Sequence, residues 1–509
     1  MRGGLQITPQ VWVQDPDLHG SSRWADAEHL LHRGYGPEGR HTLGYLPAEN
    51  RRSRAIPITY GGDRHELVIA PTRGGKGVST VIPRLLEHMG PAIVMDVKDG
   101  ENALITARYR RGYLGEDVHI LDPFDVVSSR LGFVPAKLNP LRQVDLDGEA
   151  AFDEASIVSE SCVVPDGRGE SHWSNEALSM ITGFILREVE MGGDLGDVRA
   201  ALNQGKDDFE SYLTRMSEST YGLVRAAGAR IDNKEERERS GVLSTAQQNT
   251  HFLESAPLAD SLSGTSIDLS DLSNTTIYIV LPARRILTAK RWLRVVIASL
   301  IYAVTEAQER PPVPVMFLLD EMATLGRMSP IEQGVGLLAG YGMQFVCILQ
   351  DLSQLTDLYR ERAQSFISNA ACIQCLGTND KMTADYLSAL SGMTSVPRLS
   401  LEAAIERASL MGDPSFAGPG DAPVSRPLIT PDELTSLHPS VQFIKLAASH
   451  PAMAYRPAYF LDHRFRDRRG TPLYDIHPHQ ADKPIPKAID FTGPGLDLGG
   501  VLEPYLRVG

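Results

Sequence analysis

Residues 67–80 read LVIAPTRGGKGVST, and the fold prediction starts from this stretch. A short apolar run ends in a glycine-rich turn, which is followed by Lys76 and then by an apolar pattern with helical spacing. This order is typical of a phosphate-binding loop, in which backbone N–H groups and a helix N-terminus surround an anion and the lysine reaches the outer phosphates. Glycines allow the close backbone approach that a side chain would block. The stretch therefore predicts a protein driven by a nucleoside triphosphate.

Two positions of the loop depart from the general pattern G-x-x-x-x-G-K-[ST]. Ala70 replaces the first glycine, and Gly77 stands where a hydroxyl would bind Mg²⁺. Because Mg²⁺ takes oxygen ligands, the missing hydroxyl matters. Thr72, Ser79 and Thr80 lie nearby but do not occupy the usual position. An ordinary connection from strand to turn to helix is the alternative interpretation.

A second apolar strand supplies the acidic groups that such a site needs. Residues 315–321 read VMFLLDE and follow the proline-rich stretch 311–314. Ligands of an open α/β sheet bind at the carboxyl ends of its buried strands. We therefore predict that Asp320 holds Mg²⁺ through water and that Glu321 polarises the attacking water. The alternative is a helix whose first turn carries acids that favour its dipole.

Gln350 follows a third apolar strand, 345–349. At the carboxyl end of a strand beside the acidic one, its amide could contact the γ-phosphate or the attacking water. It would then act as a sensor that passes the hydrolysis state to the rest of the molecule. A polar residue at a strand end without such a role is the alternative.

The composition limits the classes of protein to consider. The chain has 509 residues, of which 42% are apolar and 22% charged, as is typical of a globular protein of about two to four domains. A net charge of −14 argues against a broadly basic nucleic-acid-binding surface, although a basic loop or pore remains compatible with it. The N-terminus lacks the apolar core of a signal peptide, and the longest apolar run, 295–304, is too short to span a membrane.

The four cysteines indicate a reducing compartment and no disulfide framework. Cys372 and Cys375 form a C-x-x-C without a second pair, in an apolar run. Buried strand residues are the favoured interpretation of this pair, and a zinc or redox site is the alternative.

Short apolar segments alternate with helical patterns over much of the chain, which predicts an α/β fold with a mostly parallel sheet. The alternation stops between residues 148 and 270, where Trp173, Met180 and Phe184 recur at helical spacing and predict an all-α domain. The predicted strands are 67–70, 92–96, 118–122, 277–281, 315–320, 344–350, 372–377 and 443–447.

The predicted organisation has five parts. They are an extended N-terminal arm with a short helix near 24–32 (1–65), a first nucleotide-binding part (66–147), the inserted all-α domain (148–270), a second nucleotide-binding part (271–465) and an irregular C-terminal tail (466–509).

Two motifs carry a resemblance to a known family. Residues 70–77 (APTRGGKG) and 317–328 (FLLDEMATLGRM) resemble the [AG]-P-T-R-x-G-K-G loop and the D-E-F-x-x-L-G-R-M segment of the TraG/VirD-type coupling ATPases of type IV secretion. The likeness extends from residue 19 to residue 465, and Gly77 after the lysine is usual in that family. Further similar segments are 19–25, 81–86, 96–98, 339–342, 350–355, 378–380 and 426–431.

The resemblance implies a RecA-like P-loop ATPase domain with an inserted all-α domain, and ATP and Mg²⁺ as its ligands. It implies catalytic roles for Lys76, Glu321 and Gln350, with Asp320 serving Mg²⁺. The residues implied to bind the phosphates are Thr72, Arg73, Gly74, Gly75, Lys76, Gly77 and Val78.

The resemblance also implies a function. Members form homo-hexameric rings that recruit relaxase-bound single-stranded DNA with its accessory proteins and deliver it to a type IV secretion channel, using ATP. The all-α domain is implied to recognise the cargo. Two alternatives stay open: the same motor carrying protein effectors, which the acidic charge favours, and a nucleotide-binding assembly scaffold with little turnover.

Three features depart from the family pattern. Members usually begin with transmembrane helices, and this chain begins where those would end. We therefore expect a missing anchor or a membrane partner, and a location in the cytoplasm or at the cytoplasmic face of the inner membrane. Asp99 is an extra residue in the family's D-x-K-G-E. Residues 338–342 stand where some relatives carry a trans-acting arginine, which leaves Arg327, Arg360 and Arg362 as candidates.

Overall fold

A single large sheet organises the protein. The computed structural model describes residues 20–47, 54–164, 172–396, 424–480 and 484–493. Eleven strands form this sheet in the order β2-β1-β13-β12-β9-β3-β8-β7-β4-β6-β5, and β10 and β11 form a separate ribbon. The strands are β1 His41–Leu46, β2 Ile56–Tyr60, β3 Glu66–Ile69, β4 Ala92–Asp96, β5 Asp117–Leu121, β6 Thr275–Val280, β7 Val315–Leu319, β8 Met343–Leu349, β9 Cys372–Cys375, β10 Met393–Val396, β11 Val424–Pro427, β12 Val441–Leu446 and β13 Pro451–Tyr455.

The seven strands from β9 to β5 are all parallel to their neighbours. Strands such as β4 and β7 are buried along their whole length. Helices cover both faces of a parallel sheet, so its strands are buried on both sides. Continuous runs of Val, Ile and Leu suit such strands. All eight predicted strands are present, so the predicted α/β fold with a mostly parallel sheet is confirmed.

The prediction that residues 1–65 form an extended arm is wrong for His41–Leu46 and for Ile56–Tyr60. These residues form β1 and β2, which join the sheet through antiparallel pairing of β1 with β13. Gly44 inside β1 weakens the sequence pattern of a strand, but the close approach of β13 leaves no room for a side chain there. A Cβ at Gly44 would lie 2.9 Å from the carbonyl oxygen of Tyr455, a partner more than 400 positions away that local sequence cannot reveal. The predicted short helix is present as Ala27–His32.

Helices cover the sheet and form a separate group between β5 and β6. The first four are α1 Ala27–His32, α2 Ile82–Glu87, α3 Glu101–Tyr109 and α4 Ser128–Leu131. The group consists of α5 Ala151–Cys162, α6 His172–Met191, α7 Leu195–Leu202, α8 Lys206–Ser217, α9 Gly222–Asp232, α10 Glu236–Thr250 and α11 Ala256–Ser261. The last six are α12 Ile286–Glu306, α13 Ser329–Leu337, α14 Leu352–Tyr359, α15 Ala363–Asn369, α16 Lys381–Ser391 and α17 Pro431–Thr435.

Helices α5 to α11 occupy the region predicted to be all-α. The described residues between 148 and 270 contain no strand. Apolar residues of this group share one core with α12 and with the sheet. The exact domain boundaries remain a prediction. None of the described helices combines the length and the apolar character that crossing a bilayer requires.

A buried ion pair fixes the strand before the loop to the helix after it. The guanidinium of Arg84 on α2 donates two hydrogen bonds of 2.8 Å to the carboxylate of Glu66 on β3. Both side chains are almost fully excluded from solvent. A bidentate pair fixes the relative orientation of the two groups that it joins. This pair therefore fixes α2 relative to β3, and with them the two ends of the loop that connects them.

The described part of the tail packs on the sheet domain. The rings of Phe491 and Tyr45 stack with their centroids 4.9 Å apart. The N–H of Asp475 donates to the carbonyl of Ile105 on α3 at 3.0 Å. The tail thus lies against the helix that follows β4, at the edge of the sheet where the predicted site residues meet.

Candidate nucleotide-binding site

The glycine-rich loop is a tight turn between β3 and a helical turn at Gly77–Val81. Arg73 and Gly75 have φ angles of 61° and 79°, in the left-handed region. The N–H of Gly74 donates to the carbonyl of Pro71 at 2.8 Å, and a Cβ at Gly74 would lie 2.8 Å from that same oxygen. The loop conformation therefore requires glycine at position 74.

Lys76 reaches across to the acidic residues that follow β7. Its Nζ lies 2.6 Å from Oδ1 of Asp320 and 2.6 Å from Oε1 of Glu321. The Lys76 and Asp320 side chains are less than one-tenth exposed, so these ion pairs are formed largely out of water. The loop and the acidic strand, 245 positions apart in sequence, meet as predicted.

The backbone of Glu321 points its side chain back towards the loop. Its φ angle is 61°, a strained value for a residue with a side chain, at the second position after the end of β7. Burial raises the pKa of its carboxyl, but the positive charges of Lys76 and Lys98 outweigh burial and lower that pKa to about 2. Glu321 is therefore an ionised carboxylate at neutral pH while it is paired with the two lysines.

Gln350 joins the same group. Its side-chain amide donates to Oε2 of Glu321 at 3.2 Å, and its backbone N–H donates to Oε1 of Gln354 at 3.1 Å. The carboxyl ends of the parallel strands β3, β8 and β7 are adjacent, which brings Lys76, Gln350 and Glu321 together. Their roles in catalysis remain a prediction.

Lys98 belongs to this group although no role was predicted for it. Its Nζ lies 2.9 Å from Oε1 of Glu321 and 3.8 Å from Oδ2 of Asp320. Lys98 follows Asp96, the last residue of β4, and β4 pairs with β7. Ligands of an open α/β sheet bind at the carboxyl ends of its strands, and Lys98 lies two residues past the end of such a strand. Its position in the site could therefore have been predicted from the sequence.

Arg456 is a second residue that sequence reasoning missed. It follows β13 and donates to the carbonyl of Gly74 in the loop at 2.9 Å. It also donates to the carbonyl of Val441 at 2.8 Å and to that of Leu376. Burial lowers the pKa of this guanidinium to about 10. No local pattern marks Arg456, because it contacts the loop from 382 positions away.

The other predicted loop residues differ in their surroundings. Thr72 and Arg73 are exposed at the mouth of the loop, where they are accessible to a ligand. Val78 instead packs its side chain on a core cluster, and its carbonyl accepts the N–H of Tyr459 at 3.4 Å. Any contact of Val78 with a nucleotide is therefore expected through its backbone.

The acidic groups fit a magnesium ion that arrives with a nucleotide. Among the described residues, no group of three or more His, Cys, Asp or Glu side chains forms a metal cage. Mg²⁺ bound with a nucleotide needs only one or two carboxylates, because phosphates and water supply its other ligands. Asp320, beside the loop lysine, satisfies that requirement.

The C-x-x-C is made of buried strand residues, as predicted. Cys372 and Cys375 lie three positions apart on β9 and belong to different apolar clusters, on opposite faces of the sheet. Burial raises the pKa of the Cys375 thiol to about 11. Two thiols on opposite faces cannot bind one metal ion or form a disulfide with each other.

Two of the three arginine candidates lie near the same carboxylate. Arg327 and Arg362 both lie near the carboxylate of Glu332, with N–O distances of 3.2 Å and 3.7 Å. Both guanidiniums are more than half exposed, so a neighbouring molecule could engage them. The identity of an arginine finger remains a prediction.

Comparison with known proteins finds a matching family model and several relatives. The family model of the type IV secretory system conjugative DNA transfer proteins matches residues 23–481. The conjugal transfer protein TraG of Escherichia coli is 26% identical over 539 residues, which cover 94% of this chain and 82% of that protein. Protein VirD4 of Rhizobium rhizogenes is 26% identical over 478 residues, which cover 90% and 68%.

Solved structures of the bacterial conjugative coupling protein TrwB share the fold. The unbound TrwBdeltaN70 form has a TM-score of 0.62 at 15% identity and covers 86% of this chain and 92% of its own. The TrwB complex with ADP and Mg²⁺ has a TM-score of 0.60 at 16% identity and covers 86% and 94%. The predicted RecA-like P-loop domain with an added helical domain is thereby confirmed. This chain belongs to the type IV secretory system conjugative DNA transfer family and has the role of a coupling protein in DNA transfer.

Proposed function

We propose that this protein hydrolyses ATP at the site formed by Lys76, Asp320 and Glu321 to deliver relaxase-bound single-stranded DNA to a type IV secretion channel. One observation carries the proposal: the Nζ of Lys76 lies 2.6 Å from carboxylate oxygens of both Asp320 and Glu321. A phosphate that replaces these carboxylates at Lys76 would lie next to the Glu321 carboxylate, which could then hold the attacking water beside it.

Each side chain has a defined task in the proposed reaction. Lys76 exchanges its carboxylate partners for the outer phosphate oxygens, whose developing charge it stabilises. Glu321 accepts a proton from the water that attacks the γ-phosphorus in line with the leaving oxygen of ADP. The Gln350 amide orients that water. Asp320 would hold Mg²⁺ through water, and the ion, when bound, neutralises phosphate charge.

Relatives support the ligands and partners. TrwB structures are described in complex with ADP and Mg²⁺ and with a non-hydrolysable ATP analogue. TraG is a conjugal transfer protein. We extend these properties to this chain, together with assembly into a homo-hexamer, in which an arginine of one subunit would reach its neighbour's phosphates. We place the assembly at the cytoplasmic face of the inner membrane, beside the channel.

Steady-state ATP hydrolysis tests the proposal. Hydrolysis by the wild-type protein should rise when single-stranded DNA is added, and both Lys76→Ala and Glu321→Gln should abolish it. Hydrolysis that is indifferent to single-stranded DNA would favour protein effectors as the cargo, an alternative consistent with the net charge of −14. A protein that binds ATP but shows no turnover with or without DNA would contradict the motor and favour an assembly scaffold.

A further inference from the structure

The carboxylate of Glu101 lies next to Gly77, the loop position that lacks the usual hydroxyl. Gly77 follows Lys76, where other P-loops carry the Ser or Thr that binds Mg²⁺. The nearest atom to a Cβ built on Gly77 is Oε1 of Glu101, at 3.9 Å. A serine side chain would therefore fit at this position without a clash, and its hydroxyl would lie beside the Glu101 carboxylate.

The backbone before α3 determines where Glu101 lies. Asp99 and Gly100 have φ angles of 57° and 73°, two successive left-handed residues that reverse the chain after β4. A Cβ at Gly100 would lie 2.5 Å from Val127, so only glycine fits there. Asp96 accepts the N–H of Ala103 at 2.9 Å and thereby fixes the first turn of α3. The extra residue Asp99 is thus part of the turn that places Glu101 at the loop.

Glu101 is also accessible to a ligand on the loop side. Its side chain is 43% exposed, and its Oε1 lies 3.0 Å from Nε2 of His477 in the tail. A hard cation bound beside Gly77 would meet the Glu101 carboxylate, whose Oε1 faces that position, instead of a hydroxyl. Carboxylates are stronger ligands of Mg²⁺ than neutral hydroxyls.

We propose that Glu101 supplies the oxygen that faces the Mg²⁺ of the bound nucleotide, in place of the hydroxyl that Gly77 lacks. The inference rests on the proposed function, since it requires Mg·nucleotide at the loop. The alternative for Glu101 is a structural one, in which it favours the dipole of α3 and anchors the tail through His477.

Binding of fluorescent mant-ADP, titrated in Mg²⁺ and in EDTA, distinguishes the two roles. For the wild type, Mg²⁺ should tighten binding. Glu101→Gln should reduce this Mg²⁺-dependent tightening by about tenfold or more, in the range that loss of a metal-site partner usually costs, while affinity in EDTA stays within about twofold. The double variant Glu101→Gln/Gly77→Ser should recover the Mg²⁺ effect, because the serine restores the missing hydroxyl.

His477→Ala is the matched control, because it removes the tail contact and keeps the carboxylate. It should retain the wild-type Mg²⁺ effect. Two results would overturn the inference and leave the proposed function standing. In the first, Glu101→Gln loses affinity equally in Mg²⁺ and in EDTA. In the second, Mg²⁺ tightens binding to Glu101→Gln as much as to the wild type. A wild-type protein that does not bind mant-ADP at all would overturn the proposed function itself.

Electron paramagnetic resonance with Mn²⁺ in place of Mg²⁺ gives an independent readout. The spectrum of bound Mn·ADP should change between the wild type and Glu101→Gln and remain the same in His477→Ala. An identical Mn²⁺ spectrum in all three proteins would contradict a metal-facing carboxylate at position 101.

Discussion

The Nζ of Lys76 lies 2.6 Å from Oε1 of Glu321, so the loop lysine and the expected general base form an ion pair. A nucleotide must compete with that carboxylate for the lysine. Neutralising Glu321 should therefore favour binding even as it removes the base.

Glu321→Gln should bind Mg·ATP a few-fold more tightly than the wild type and hydrolyse it about 10²–10⁴-fold more slowly. The amide no longer competes as an anion for Lys76, and it cannot accept the proton of the attacking water. Equilibrium binding and steady-state turnover of the same preparation measure the two effects. Weaker binding together with unchanged turnover would show that Glu321 is not the base.

Arg456 is expected to position the loop rather than to touch a nucleotide. Its guanidinium bonds the carbonyls of Gly74, Val441 and Leu376, which a lysine cannot all reach. Arg456→Lys should weaken nucleotide binding by about tenfold to a hundredfold, because misplacing the loop misaligns its N–H groups. The exposed Arg468 supplies a matched control, and Arg468→Lys should bind nucleotide like the wild type. Equal nucleotide affinities of the two variants would show that Arg456 does not position the loop.

The buried pair between Arg84 and Glu66 should contribute strongly to stability. Arg84→Met leaves the Glu66 carboxylate buried without its partner and should lower the free energy of unfolding by about 3–5 kcal/mol. Lys381→Met, which removes an exposed pair with Asp385, should leave denaturant unfolding unchanged. Similar unfolding midpoints for the two variants would contradict the importance of the buried pair.

Asp96 should make stability depend on pH. Burial raises the pKa of its carboxyl to about 8, so the folded protein holds this proton more tightly than the unfolded chain. Its contribution is fully present below the unfolded pKa of about 4 and is lost as the pH rises towards 8. Asp96→Asn should therefore gain melting temperature relative to the wild type between pH 5 and about pH 8, and the gain should level off above that. A difference that is constant over this range would contradict the raised pKa.

Much of the site could be predicted because its signals are local. The glycine pattern around Lys76 and the acids after an apolar run each lie within a short window, and parallel strands bring their carboxyl ends to one edge. Lys98 could have been added by the same rule. Its position two residues past β4 gave the signal, but no role was assigned to it.

The missed features depend on contacts between distant segments. Arg456 reaches the loop from 382 positions away, and nothing in its neighbourhood marks it. Strands β1, β2 and β13 contain Gly or Pro and pair only with one another and with β12, so their local patterns are weak. Glu101 is at the loop because Asp99 and Gly100 adopt left-handed backbone angles, which sequence does not reveal.

The chemical state of nucleotide held by the protein tests the central claim most directly. Each variant is incubated with radiolabelled Mg·ATP, separated from free nucleotide and denatured, and the bound nucleotide is identified. We expect mainly ADP from the wild type, intact ATP from Glu321→Gln, and almost no nucleotide from Lys76→Ala. ADP in the Glu321→Gln protein at the wild-type level, or full ATP retention by Lys76→Ala, would contradict hydrolysis at this site.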